Sequence, residues 1–573
     1  MKRSEMMLNM IPNIRITAAR LTALLVLAAL LGAGVQAAMA AEQTLTMSMG
    51  KLGDIGTDPT VDSTISPGIG GAQDYHYYTH YSPLIVLDKD DDNIVPWMAE
   101  SYDVSDDSRT ITFHLRTGVK FADGTPLNAS ILKFNFDRII TYGWKDRVGP
   151  NGTMARLNPF IYYDYSEAPN DDTFRIHFTQ GWLNVARDLS TSKYYSCFIN
   201  PLDVNPAWDT KGILMSDKKY DGLGPYYVDE NESIPKEKIV LIRRPSWRDV
   251  LDFHKPKLDK IVLTTIADPQ TAIMALEKGD IDYLCRYWNP SLDSLHALEN
   301  NPKIAIKTRP SVQTYYIATA YWKEPFNSSE GILLRKAINY ALDRKKIAEG
   351  AFSGYATPAT DTMYISSQSN DVSECCHKGY DYDPDKAKQL FAEAGWKDTD
   401  GDGVLDKNGK ALKDVNLLVT SSTDLVWMKD VAILVQSQLK EVGIQTIIKT
   451  FDWNTYIESS KNGDYDLRLS YNFGRNIPIN SQFANFNAGG LIRNHYENLN
   501  GTLVEAAANV KSAKSKEELN KYICQVCNIL FEEAGTIPLV HPTEYAVMSS
   551  RVKGFELGPN SLYDHMEECW IEA

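Results

Sequence analysis

The sequence predicts an α/β fold divided into two lobes. Short apolar runs of strand type alternate with amphipathic helical stretches and turn signals, which is the pattern of a sheet covered by helices. The series of the first half recurs in the second, without a fixed short repeat or a low-complexity linker. The chain has 573 residues, 43% of them hydrophobic and 23% charged, ample for more than one core and unlike a disordered or fibrous composition.

The chain opens with Lys2, Arg3, Arg15 and Arg20, then an apolar run at 21–31 and the small-residue site Ala38-Met39-Ala40. A basic segment, an apolar segment and an A-x-A site together form a secretory signal peptide. The alternative of a membrane anchor is weakened by the Gly/Ala-rich second half of the run. No cysteine precedes Cys197, so no lipid-acceptor cysteine follows the cleavage site. The expected product is an untethered periplasmic protein. Loss of residues 1–40 leaves 55 basic and 73 acidic residues, a net charge of −18. That balance, without a clustered basic face, argues against a nucleic-acid partner.

Strands are expected at 44–49, 110–115, 173–178, 239–243, 260–265 and 446–450, and helices at 271–278, 333–348, 385–394 and 424–442. Asp123-Gly124-Thr125-Pro126 reads as a tight turn, and Asn128 caps the helix that follows. Gly222-Leu223-Gly224-Pro225-Tyr226 leads from a turn into a strand and lacks phosphate-loop spacing. Asp398, Asp400 and Asp402 with Gly403 begin like a calcium loop, but position twelve is Gly409 where a bidentate Glu is required. A solvated turn is the expectation there.

The seven cysteines are Cys197, Cys285, Cys375, Cys376, Cys524, Cys527 and Cys569. An oxidising compartment favours disulfides, an odd count leaves one thiol over, and spacing does not determine the pairing. Cys524-Gln525-Val526-Cys527 lies inside a helical pattern at 517–533 rather than opening a helix, which argues against a redox-active pair. A zinc site would need a second donor pair, for which Cys375-Cys376-His377 is the candidate. Structural cysteines are the default.

Several blocks carry a family resemblance. They are the stretch from Pro96-Trp97-Met98-Ala99-Glu100 to Pro126-Leu127, then Gly222 to Tyr226, Ala275-Leu276-Glu277-Lys278-Gly279-Asp280-Ile281-Asp282 and Leu334-Arg335-Lys336-Ala337-Ile338-Asn339-Tyr340-Ala341-Leu342-Asp343. Tyr382-Asp383-Pro384 through Ala394-Gly395-Trp396 and Gln436 through Gly463-Asp464-Tyr465-Asp466 complete the set. In this order they resemble the family 5 extracellular solute-binding proteins of ABC importers, the peptide/nickel class. The resemblance implies a type II periplasmic-binding-protein fold with an extra subdomain in lobe one. It places lobe one at 41–310 plus 535–573 and lobe two at 311–534. It also implies a monomer without cofactor that captures a peptide or metal chelate and delivers it to an ABC permease with its ATPase subunits.

Peptide-binding members of this family carry a carboxylate after the strand that resembles 465–471. Here the segment reads Tyr471-Asn472-Phe473-Gly474-Arg475-Asn476, so Arg475 reverses the charge. A guanidinium in a partly dry cleft pairs with carboxylate or phosphate; the other reading is a surface ion pair. Tyr471, Phe473 and Asn476 join it as candidate ligand contacts. By resemblance Asp74, in the loop after Gly70-Gly71, and Trp144 and Arg147 are candidates from lobe one. His76 and His80, four apart, share a helical face and suit a transition metal, although the interleaved tyrosines explain them equally as packing. His541 is expected to be structural. No GxSxG, HExxH or nucleotide loop supports an exported enzyme, and a sensor for a signalling receptor remains the other alternative.

Overall fold

The computed structural model describes residues 42–50, 82–87, 93–121, 123–141, 162–181, 183–191, 198–203, 222–245, 255–284, 291–311, 313–359, 374–422, 425–471, 495, 499, 501–557 and 566–572. The described strands and helices belong to the unit of residues 44–573.

The first strand, β1 (Thr44–Met49), alternates polar and apolar residues, and Leu45, Met47 and Met49 are buried. A layer of its own follows in sequence. The hairpin β2 (Ile85–Leu87) and β3 (Ile94–Pro96) precedes β4 (Ala99–Val104), β5 (Thr110–Leu115), β6 (Tyr163–Asn170) and β7 (Thr173–Phe178), with helices α1 (Ala129–Thr141) and α2 (Val185–Thr191). β4, β5, β7 and β6 form an antiparallel sheet in that order. Alternate residues of β5 are buried, as expected for a sheet with one dry face. Phe113, Phe136, Phe174 and Phe198 fill the core beneath it, with the Phe136 and Phe174 rings 5.0 Å apart. The Asn128 carboxamide accepts from Ile131 N at 2.9 Å, the cap the sequence predicts.

The chain then adds β8 (Tyr226–Val228), β9 (Lys238–Arg243), β10 (Lys260–Thr265), α3 (Pro269–Lys278), β11 (Tyr283–Leu284), α4 (Leu292–Glu299) and β12 (Ile304–Pro310). β1 lies parallel to both β10 and β11. Asp268 caps α3, Pro269 occupies its first turn and Gly279 closes it at φ +83°, which explains the Lys278-Gly279-Asp280 signal.

A second α/β series follows. It contains β13 (Tyr315–Thr319), α5 (Ser329–Ala341), α6 (Arg344–Phe352), β14 (Ala356–Pro358), α7 (Pro384–Glu393), the ribbon β15 (Asp406–Lys407) and β16 (Lys410–Ala411), and β17 (Val415–Thr420). It continues with α8 (Trp427–Glu441), β18 (Thr446–Phe451), α9 (Trp453–Asn462), β19 (Leu467–Tyr471), α10 (Gly501–Ser512) and α11 (Lys516–Glu533). The helix expected over 333–348 is in fact two. Asp343 interrupts it, because its carboxylate accepts from Lys346 N and starts α6 anew, while Leu342 adopts extended geometry. Buried Arg344 then donates to the carbonyls of Pro538, Asn339, Leu342 and Tyr380, so its charge is met by backbone dipoles.

Strand β20 (Thr536–Ser549) joins the two series, and the short pair β21 (Val552–Lys553) and β22 (Trp570–Ile571) ends the chain. The large sheet runs β18-β17-β19-β13-β20-β11-β1-β10-β9-β8. Residues 536–540 of β20 pair with β13, whereas 543–549 pair with β12. Its ends are buried and its middle, 541–545, is half-exposed. Ile537, Leu539 and Val540 belong to the core of the second series, while Ala546 and Met548 belong to that of β1 and β10.

Two disulfides, Cys375–Cys524 and Cys376–Cys527, tie residues 375–376 to α11 across 149 and 151 residues of sequence. Closing a loop of that length removes denatured-state freedom equivalent to about 5 kcal/mol in the chain-entropy account. Cys524 is well inside α11, so the partners of the CxxC cysteines are on another segment. Cys569 is buried.

Candidate functional site

In an α/β sheet, ligands bind outside the carboxyl ends of strands where the connections diverge. β17 pairs in parallel with β18 on one side and β19 on the other. The connection from β17 through α8 leads to β18, and the one from β18 through α9 returns past β17 to β19. The switch point therefore lies between β17 and β19, at Thr420 and Tyr471. β13 runs antiparallel, so Tyr315 at its start stands opposite Tyr471.

An aromatic shelf forms at this edge. The Tyr315 ring stacks on Trp427 at 3.9 Å and 7°, and meets Tyr471 edge-on at 6.4 Å and Phe352 at 5.7 Å. Trp427 is 8% exposed, and its Nε1 is buried without an acceptor among the described residues. Buried polar groups are ordinarily hydrogen-bonded, so this N–H stands out. Just past β17, Ser421 N donates to Phe451 O at 2.8 Å. Asp452 caps α9 through Asn454 N and Thr455 N.

The middle of β20 and its neighbours make polar contacts. Arg309 donates to Glu544 Oε2 through Nε at 3.1 Å and Nη2 at 2.7 Å, and Ser311 Oγ donates to Glu544 Oε1 at 3.0 Å. His541 Nδ1 lies 3.1 Å from Thr314 Oγ1 and 3.3 Å from Gln313 O, a structural setting. A second tie joins the two series: Tyr355, after α6, donates to Glu299 of α4, which His296 also contacts.

Of the residues the sequence singles out, Tyr471 lies at the switch point. Asp74, His76, His80, Trp144, Arg147, Phe473, Arg475 and Asn476 lie outside the described residues. Tyr315 and Trp427 were not anticipated; an abundance of 31 tyrosines was the one general signal of aromatic lining. Asp398, Asp400 and Asp406 converge within 4.8 Å. Their oxygens already accept from the loop itself, Asp398 from Gly401 N and Gly403 N and Asp406 from Thr399, as in a solvated turn. A cavity of about 10 Å³ under Phe113 and Phe136 has room for one water at most and is not a solute site.

The fold is α/β on one large sheet with a switch-point edge, and its class is that of the type II two-lobed periplasmic binding proteins. Residues 93–492 match the bacterial extracellular solute-binding proteins, family 5, and the chain belongs to that family. It is thereby a solute-binding subunit of the ABC-importer class. Heme-binding protein A of Haemophilus influenzae is 26% identical over 522 residues, 84% of each chain. Glutathione-binding protein GsiB of Escherichia coli is 26% identical over 499 residues, 84% of this chain and 87% of its own. The structure of NikA from Brucella suis in complex with Fe(III)-EDTA superposes with a TM-score of 0.78 at 22% identity, covering 93% of this chain and all of that one. Among the described residues no helix is long and apolar enough to cross a membrane.

Proposed function

We propose that the chain, once its leader is removed, is a periplasmic receptor that captures a small anionic solute between two lobes and hands it unchanged to a permease. The solute is a carboxylate-rich metal chelate or a peptide held by its C-terminus. The reading rests on the end of β19, where Tyr471 stands beside the switch point and Arg475 follows four residues later in sequence. A guanidinium supplies two parallel donors to a carboxylate, and the Tyr315–Trp427 stack supplies a flat apolar wall. Heme, glutathione and Fe(III)-EDTA, with which the three relatives are named, all carry carboxylates, which supports the same ligand chemistry.

The lobes are proposed to be 42–310 with the chain's end, and 311 to the β20 crossing. The half-exposed stretch 541–545 and the link from β12 to β13 would serve as hinge strands. Release of the signal peptide after Ala40, a monomeric state and binding without turnover belong to the same reading. A neighbouring permease and ATPase pair in the genome distinguishes the importer from a sensor.

The test is calorimetric titration of the ligand-free protein with Fe(III)-EDTA and with glutathione, for the parent chain and Arg475→Ala. Loss of a charge-assisted pair costs about 2–4 kcal/mol, so affinity for the solute that binds should fall by about thirtyfold or more. Equal affinity in the variant removes Arg475 from the site.

A further inference from the structure

Four cysteines meet at one place remote in the sequence from the switch-point edge. Cys375 and Cys376 come from a one-turn 3-10 helix, and Cys524 and Cys527 from one face of α11, three residues apart. Cys376 and Cys527 are fully buried. The Sγ atoms of the adjacent pair, Cys375 and Cys376, are 3.9 Å apart. Zinc–sulfur bonds of about 2.3 Å give a tetrahedral edge of about 3.8 Å, so this pair already has the spacing of two ligands of one ion.

Crosslinking alone does not account for four sulfurs. Once Cys375–Cys524 has closed the long loop, Cys376–Cys527 closes only the short ring formed by 375, 376 and 524–527, where little denatured-state freedom remains to be removed. A tetrahedral ion uses all four. Lys378 donates to Asn528 Oδ1 at 2.9 Å, one more tie between the two cysteine-bearing segments.

We propose that the reduced cluster is a binding site for one thiophilic divalent cation of the zinc class, and that 375–376 is pinned to α11 either by two disulfides or by one metal ion. A dithiol or phosphine reductant supplies four electrons, and four protons come from solvent. The two S–S bonds break to give four thiols. The cation then displaces the four thiol protons and forms four metal–sulfur bonds, leaving a complex of net charge −2. Two molecules of a small-molecule disulfide oxidant accept the four electrons and, with four protons from solvent, become four thiols, which restores both protein disulfides and releases the divalent ion.

The mature protein, with Cys197, Cys285 and Cys569 changed to Ser, is reduced anaerobically with a phosphine and titrated with Co²⁺, read by absorbance and native mass spectrometry. One Co²⁺ per chain is expected, with the intense visible bands of tetrahedral thiolate coordination. The oxidised protein should bind none, and Cys375→Ser/Cys376→Ser should bind none in either state. If reduction loosens the fold, Co²⁺ should restore the near-ultraviolet circular dichroism of the oxidised protein. Absence of stoichiometric cobalt from the reduced chain, or equal binding by the double variant, overturns the proposal.

Discussion

Trp427 combines a packed ring with a buried polar atom. Its ring lies against Tyr315 and Phe352, as any core aromatic would, but its Nε1 donor is buried without a protein acceptor among the described residues. Trp427→Phe keeps a ring at that place and removes only the donor. Thermal unfolding should shift little, whereas solute affinity should fall by about fivefold to tenfold, the worth of one hydrogen bond. An unchanged affinity by titration would leave the shelf a packing feature. Tyr471 was legible in the sequence because it opens the segment where peptide-binding members of the resembled family carry a carboxylate. Trp427 was not, since a tryptophan at the start of an amphipathic helix reads as core until the strand ends beside it are known.

Helix boundaries were the most readable elements, and their errors share a cause. The cap at Asn128 announces itself locally, because a short polar side chain next to an apolar run has one obvious use, whereas Asp268 and Asp452, which cap α3 and α9, were not read from the sequence. Asp343 was hidden by apolar spacing that continues across it, so one helix was read where α5 and α6 meet. Hydrogen bonds from Thr455 and from backbone N–H groups hold the Asp452 carboxyl below its ordinary 3.8, and Thr271 does the same for Asp268. A folded pKa below the unfolded one stabilises fully above pH 3.8 and ceases to do so as pH falls through the folded value. The melting temperature should therefore drop in that acid window, and Asp268→Asn/Asp452→Asn should flatten the drop. Ser515 caps α11 through Glu518 N, and α11 bears both disulfides and leads into β20. Ser515→Ala should cost about 1 kcal/mol in denaturant unfolding; no loss would mean that the crosslinks alone hold this end.

The two-lobed plan was legible because the α/β series occurs twice. The joining of both series into one sheet was not, because β13 and β20 pair across more than two hundred residues. The disulfide pairing was equally hidden, being a long-range consequence of α11 packing beside 374–376. Most ligand contacts proposed from sequence lie outside the described residues, so the aromatic shelf and the middle of β20 carry the structural part of the functional reading. Arg309, Ser311 and Glu544 make that stretch polar, and it is the part of β20 less buried than the strand's two ends.

Native mass spectrometry of the mature protein from the periplasm of a producing cell, with metal analysis of the same sample, tests capture without chemistry most directly. The expected species is a chain beginning at Ala41 that carries one anionic solute, as a discrete chelate or a peptide ladder, released unaltered on denaturation. A chain that retains no solute and converts those offered to it would contradict a receptor role.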